Sequence, residues 1–142
     1  MEATLWLGFG CRRGCSALEL GALLFDVLQD NGLKFHQLQG IASIAAKADE
    51  AGLLTLATQL ELELVTFTSA QLARYTDRLS HRSARAFAEH GCLGVAESAA
   101  MALAEYHTAG TGKLVVTRRH TPLATLAIAS AVPPPRLFTS AT

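Results

Sequence analysis

The chain has no excess charge of either sign: twelve lysines and arginines stand against twelve aspartates and glutamates in 142 residues. Nonspecific nucleic-acid binding draws on many phosphate contacts, so a net charge of zero gives it no support. Charged residues make up only 17% of the chain and hydrophobic ones 50%, which argues against disorder and for a well-buried globular domain. The amino terminus, MEATLWLGFG, lacks the basic residues of a signal peptide and carries an acid instead. A long hydrophobic run is also missing, since the richest one, Leu123 to Val132, is about half the length of a membrane span. A soluble, cytoplasmic protein with no membrane and no nucleic-acid partner is the expectation. Cysteine is scarce, and three is an odd number, which predicts reduced thiols rather than a disulfide framework. The sequence has no internal repeat, and its length suits one domain.

What is present is an alternation of strand and helix signals. Thr4–Gly10 reads as a buried strand bounded by glycine. Ser16, three residues before Glu19, forms a capping box that opens a helix with Leu20, Leu23, Leu24, Val27 and Leu28 on one face. Asp30–Gly32 closes that helix. A second strand is predicted at Gly40–Ala46, followed by a helix capped by Asp49, and a third at Leu62–Thr68, followed by a short helix capped by Ser69. A short helix stopped by Gly91, an alanine-rich helix starting near Gly94, and two hairpin-linked strands around Pro122 complete the pattern. The predicted fold is α/β: a single three-layer domain over residues 1–130, with a mixed, mostly parallel sheet and a C-terminal antiparallel hairpin. Residues 131–142, VPPPRLFTSAT within them, are expected to be a loose proline-rich tail.

In such sheets ligands bind beyond the C-terminal ends of the parallel strands. The segment GFGCRRGCS, residues 8–16, falls there and combines glycines, a helix start and the paired Arg12 and Arg13, a suitable grip for carboxylate or phosphate. Lys47 and Glu50 in KADE precede the second helix, and Glu97 lies in the first turn of the alanine-rich helix. Each has a plain alternative: a tight turn for the glycines, a solvated strand end for Lys47, helix-dipole complementation for Glu50 and Glu97. The first loop reads G-x-G-x-x-x-G rather than G-x-G-x-x-G, and no Gly-Lys-Ser/Thr follows, so a P-loop is excluded and a dinucleotide site is weakly supported. Cys11, Cys15, His90 and Cys92 lack standard metal-ligand spacing; no metal site and no cofactor are expected. Arg74, Arg78, Arg82 and Arg85 recur at helical spacing and read either as a ligand-facing basic strip or as a solvated surface.

Taken in order, the segments are more specific than any one of them. Gly8, Gly10, Cys11, Arg12, Arg13, Gly14 and Ser16 fit G-x-G-C-[RK]-[RK]-G-x-S; Lys47, Glu50, Gly52 and Leu53 fit K-x-x-E-x-G-L. Gly94, Val95, Glu97, Ala99 and Ala100 fit G-V-x-E-x-A-A, and Thr125, Ala127, Ile128 and Ala129 fit T-x-A-I-A. Over Leu5 to Ala129 the chain resembles the cobalamin biosynthesis family of CobE and the C-terminal domain of CbiG. Where typical members close the penultimate strand with lysine, this chain reads Thr117-Arg118-Arg119, which keeps the charge.

The resemblance implies a role in making the corrin ring of vitamin B12. CbiG-like proteins open the lactone of a cobalt-precorrin-5A and release acetaldehyde; they carry an N-terminal domain that this sequence lacks, so its length is more like that of CobE, of the oxygen-dependent route. Precorrins are rimmed with acetate and propionate carboxylates, which Arg12, Arg13, Lys47 and two helix N-termini suit, while Phe9 is expected to face the ring. Three functions remain open. The first is a binding or accessory module that holds a precorrin or corrin intermediate and passes it between cobalamin-pathway enzymes. The second is a lactone hydrolase in which Glu50 or Glu97 activates water and Lys47 or Arg12 steadies the oxyanion. The third is a nucleotide-binding domain.

Overall fold

A strand buried on both faces needs apolar residues at every position, and Leu5–Cys11 supplies them. In the computed structural model, which describes residues 2–133, this strand (β1) lies at the centre of a five-stranded sheet ordered β3-β2-β1-β5-β4. The others are β2 (Leu38–Ile44), β3 (Leu64–Phe67), β4 (Thr111–His120) and β5 (Ala124–Val132). β1 pairs parallel with β2 and β2 with β3, whereas β5 runs antiparallel to both β1 and β4. Four of these five strands therefore point the same way, as expected of a mostly parallel sheet. Strand β5 takes in Ala131 and Val132, which the sequence reading assigned to the tail; residues 134–142 of that tail lie outside the described residues.

Alternation along β1 divides the core into two layers. Leu5, Leu7 and Phe9 point into a cluster with Leu20, Leu24, Val27 and Leu28 of α1 (Ala17–Asp30) and Leu53 and Leu56 of α2 (Ala51–Leu60). Trp6 points the other way, into a cluster formed mainly by α5 (Val95–His107), with Leu72 of α3 (Ser69–Ala73) beneath its flank. A shorter helix, α4 (Ala84–His90), has no buried residue and ends at Gly91, whose φ of 76° is readily available only to glycine. The result is the three-layer α/β arrangement expected.

Local signals held in most places. The Ser16 capping box forms as read: Ser16 Oγ accepts from Glu19 N at 3.1 Å, and the Glu19 carboxylate accepts from Ser16 N at 3.3 Å. Some details differ. Thr68, not Ser69, caps α3, because Gln71 three residues on completes a capping box with Thr68. Glu50, not Asp49, occupies the N-cap of α2, and its carboxylate makes no capping bond because it reaches into the first loop instead. Finally, β2 ends at Ile44, since Ala45–Lys47 winds into a 3-10 turn. Among the described residues, no helix is long and apolar enough to cross a membrane.

Candidate functional site

The chain builds β1, β2 and β3 on one side of the centre, then returns through α5 to add β5 and β4 on the other. The C-terminal end of β1 is thus a switch point, where the loops on its two sides diverge and leave a crevice. An open cavity of about 240 Å³ occupies that place. Gly10 and Cys11 line it from the end of β1, Arg12 from the loop that follows, Lys47 from the turn after β2, and Gly94 and Glu97 from the start of α5. These are six of the residues singled out from sequence, drawn from three separate loops.

The remaining candidates lie elsewhere. Gly14, Ser16 and Glu50 border a second, more open hollow beside the N-terminus of α2, and Arg13 is exposed outside both hollows. Phe9 does not face a ligand: it is fully buried in the α1/α2 layer because odd positions of β1 point there. Gly8 is not a ligand-approach residue either. A Cβ on it would lie 2.0 Å from Ala96 O and 2.5 Å from Ala100 N, so this glycine lets the main chain of α5 cross directly over β1. The alanines of α5 serve the same close approach, with Ala96, Ala99 and Ala100 buried against the sheet.

The KADEAGL segment is a clasp on the first loop. Gly14 holds φ at 83° and donates its N–H to Glu50 Oε2 at 2.9 Å, while Lys47 Nζ lies 3.6 Å from Glu50 Oε1 in a pair that is about nine-tenths buried. Gly52 completes the contact, since a Cβ there would lie 2.0 Å from Cys15 O. Glu50 therefore fixes the loop and aims Lys47; it does not itself line the cleft.

Glu97 is 1% exposed and engaged on every side. Its Oε1 accepts from Ser80 N at 2.8 Å and His81 N at 3.4 Å; its Oε2 accepts from Arg118 N at 2.8 Å and from the Ser80 hydroxyl. A carboxylate offers about four acceptor positions, and all are taken. Burial alone would raise its pKa, but the Ser80 hydroxyl and the three main-chain N–H groups outweigh it and hold the carboxyl below its ordinary value. Glu97 is thus a pin joining α5, the 80–81 segment and β4, and it is poorly suited to taking a proton.

The pin brings in residues that sequence reasoning left out. Arg118 and His120 from β4, His81, and Arg85 and His90 from α4 all line the cavity. The Nε of Arg118 is buried without a hydrogen-bond partner among the described residues. Arg85 bonds Glu89 at 2.9 Å. The cavity therefore presents four permanent cations, Arg12, Lys47, Arg85 and Arg118, against the carboxylates of Glu89 and Glu97. Signals for Arg85 and Arg118 were in the sequence, in the arginine series and in Thr117-Arg118-Arg119. The other three arginines of that series go elsewhere or stay outside: Arg78 pairs with Glu105 at 3.2 Å, Arg82 bonds Thr76 O, and Arg74 does not line the cavity. For the histidines no local signal exists.

Neither a nucleophile nor a metal site emerges from the thiols. Burial pushes the Cys11 thiol up to about 11, with Lys47 pulling the other way, so it stays protonated at neutral pH. Cys15 is buried and directed at Glu19. Among the described residues, no group of three or more His, Cys, Asp or Glu side chains is placed to hold a metal ion.

Comparison with known proteins agrees with the four-motif resemblance. The family described as cobalamin synthesis G C-terminus matches residues 5–129. Protein CobE of Sinorhizobium sp is 37% identical over 99 residues, 70% of this chain and 64% of that protein. A cobalt-precorrin-5A hydrolase of Priestia megaterium is 31% identical over 97 residues, 68% of this chain but only 25% of the hydrolase. The match thus spans less than two thirds of either relative. The crystal structure of a CobE from the cobalamin (vitamin B12) biosynthetic pathway superposes with a TM-score of 0.88 at 42% identity, covering 93% of each chain. With its fold, its four motifs and residues 5–129 all in agreement, the chain belongs to the cobalamin biosynthesis family of CobE and the CbiG C-terminal domain.

Proposed function

We propose that the cleft binds a precorrin or corrin-ring intermediate by its peripheral carboxylates, and that the protein serves the oxygen-dependent route to cobalamin as a carrier or accessory module. The observation that carries this reading is the convergence of Arg12, Lys47, Arg85 and Arg118 on one cavity at the mouth of the sheet. Guanidinium groups bond carboxylates in a bidentate fork, and the first turn of α5 adds main-chain N–H groups that have no acceptor within the helix. Size sets how the ligand sits. Cavities that enclose drug-sized molecules run to roughly 300–1,000 Å³. At about 240 Å³ this one takes an edge of a macrocycle and leaves the rest projecting, accessible to a receiving enzyme.

The hydrolase reading fares less well. Glu97 has no free acceptor position, and Glu50 is committed to Gly14 and Lys47 outside the cleft lining. The nucleotide reading loses its main support too, since Gly8 is used to seat α5 rather than to approach a phosphate. The test is a visible-absorbance titration of the protein with a panel of precorrin and corrin intermediates. A saturable spectral shift without product supports the carrier. A time-dependent spectrum with acetaldehyde release makes the protein a hydrolase. No change with any member of the panel overturns the ligand assignment.

A further inference from the structure

The hydrogen-bond chain Glu97–Ser80–His81 fixes where the protons lie. Ser80 Oγ touches both the Glu97 carboxylate and His81 Nδ1, the latter at 2.7 Å. A hydroxyl has one proton, and the ionised Glu97, which accepts only, takes it. His81 Nδ1 must then be the donor to Ser80 Oγ. In neutral imidazole this leaves Nε2 bare, on a side chain that is 48% exposed and lines the cationic cavity.

A bare ring nitrogen repels an approaching carboxylate, whereas a protonated one donates to it. We propose that His81 is a proton-coupled carboxylate donor: a ligand carboxylate seats on Nε2 only together with a proton taken from solvent, giving an imidazolium that donates from Nδ1 to Ser80 and from Nε2 to the ligand. The inference rests on the reading of this cleft as a carboxylate site. Neighbours from every side share the cavity: Glu97 from α5, Arg118 and His120 from β4, Arg85, Glu89 and His90 from α4, and Arg12 and Lys47 from the loops. Of the three histidines, His81 alone has its ring tied to a buried carboxylate through a hydroxyl; His90 lies 3.7 Å from the exposed Glu89.

Uptake is measured by isothermal titration calorimetry at pH 7.5 with uroporphyrin, a stable tetrapyrrole octacarboxylate, in two buffers of different ionisation enthalpy. The expected result is net proton uptake on binding by the unmodified protein, and an affinity that falls as the pH rises from about 7 to about 8.5. His81→Gln abolishes the uptake and flattens the pH dependence, while His90→Gln and His120→Gln keep the uptake whatever they do to affinity. Binding without proton uptake, or uptake lost with His90 or His120 instead, overturns the role of His81 and leaves the carboxylate cleft standing. Absence of binding at any pH overturns both.

Discussion

Replacing Glu97 by glutamine keeps the size of the side chain and changes only what it can accept. The amide oxygen of the replacement would still take Ser80 N and His81 N, but an NH2 group would stand where Oε2 now receives Arg118 N at 2.8 Å and the Ser80 hydroxyl. The hydroxyl can turn and accept; the Arg118 N–H cannot, and is left facing a donor. A hydrogen bond to a charged group contributes about 1.5–3 kcal/mol, and removing one partner of a buried charged arrangement costs roughly 3–5 kcal/mol. A loss of about 3 kcal/mol is therefore expected, a large share of the roughly 5–15 kcal/mol of a typical domain. Urea denaturation followed by circular dichroism at pH 7 reads it as a lower midpoint at unchanged slope. The pH dependence has a fixed sign. Because the carboxyl is held below its ordinary value of 4.5, its stabilisation is present above about pH 4.5 and is lost as the pH falls through the lower folded value. The gap between the two proteins closes on acidification. A Glu97→Gln protein within about 0.5 kcal/mol of the original, the range of ordinary surface substitutions, would refute the pin; if it also bound ligand but lost turnover, Glu97 would be the base that activates water.

Three further outcomes are expected. Gly8→Ala drives a methyl group into the main chain of α5 and lowers Tm sharply or prevents folding, whereas Gly14→Ala, with open space but a φ of 83°, costs only about 1–2 kcal/mol by thermal melts; equal effects would contradict the packing role of Gly8. Iodoacetamide at pH 8 should modify Cys11 about a hundredfold more slowly than free cysteine, since its thiol is pushed up to about 11; rapid labelling by mass spectrometry would show a reactive thiolate. Arg118→Met should weaken uroporphyrin binding roughly ten- to a hundredfold at low salt, the loss of one charge-assisted bond, and a neutral effect by calorimetry would remove Arg118 from the grip.

Much of the architecture was legible because it is written in local periodicity. Leu20, Leu23, Leu24 and Leu28 of α1 recur at helical spacing with Val27 and are buried with it, and Ser16 with Glu19 marks where the helix begins. Strand–helix alternation was enough for a mostly parallel sheet with a C-terminal hairpin. The site was half legible. Arg12, Lys47, Gly94 and Glu97 could be nominated because they follow strands or open helices, and they do meet. Their roles were not readable, because roles depend on which way a residue points and on what sits across from it. Phe9 and Gly8 differ by one position in β1 and so belong to opposite layers, one filling the core and one admitting α5. Glu97 looked like a first-turn acid; only the fold delivers to it donors from residues 80, 81 and 118. His81, His90 and His120 carry no local pattern, since only the fold brings residues 81, 90 and 120 to one cavity.

The central claim is that one cationic cleft, built from the ends of β1, β2 and β4 and the start of α5, grips a polycarboxylated tetrapyrrole. The most direct measurement is an NMR titration of 15N-labelled protein with uroporphyrin, reading amide shifts residue by residue. The account predicts saturable shifts concentrated at Gly10–Arg12, Lys47, Gly94–Glu97 and Arg118–His120, with the outer faces of α1 and α2 unmoved. Shifts centred on α1 and α2, or none at saturating ligand, would contradict it.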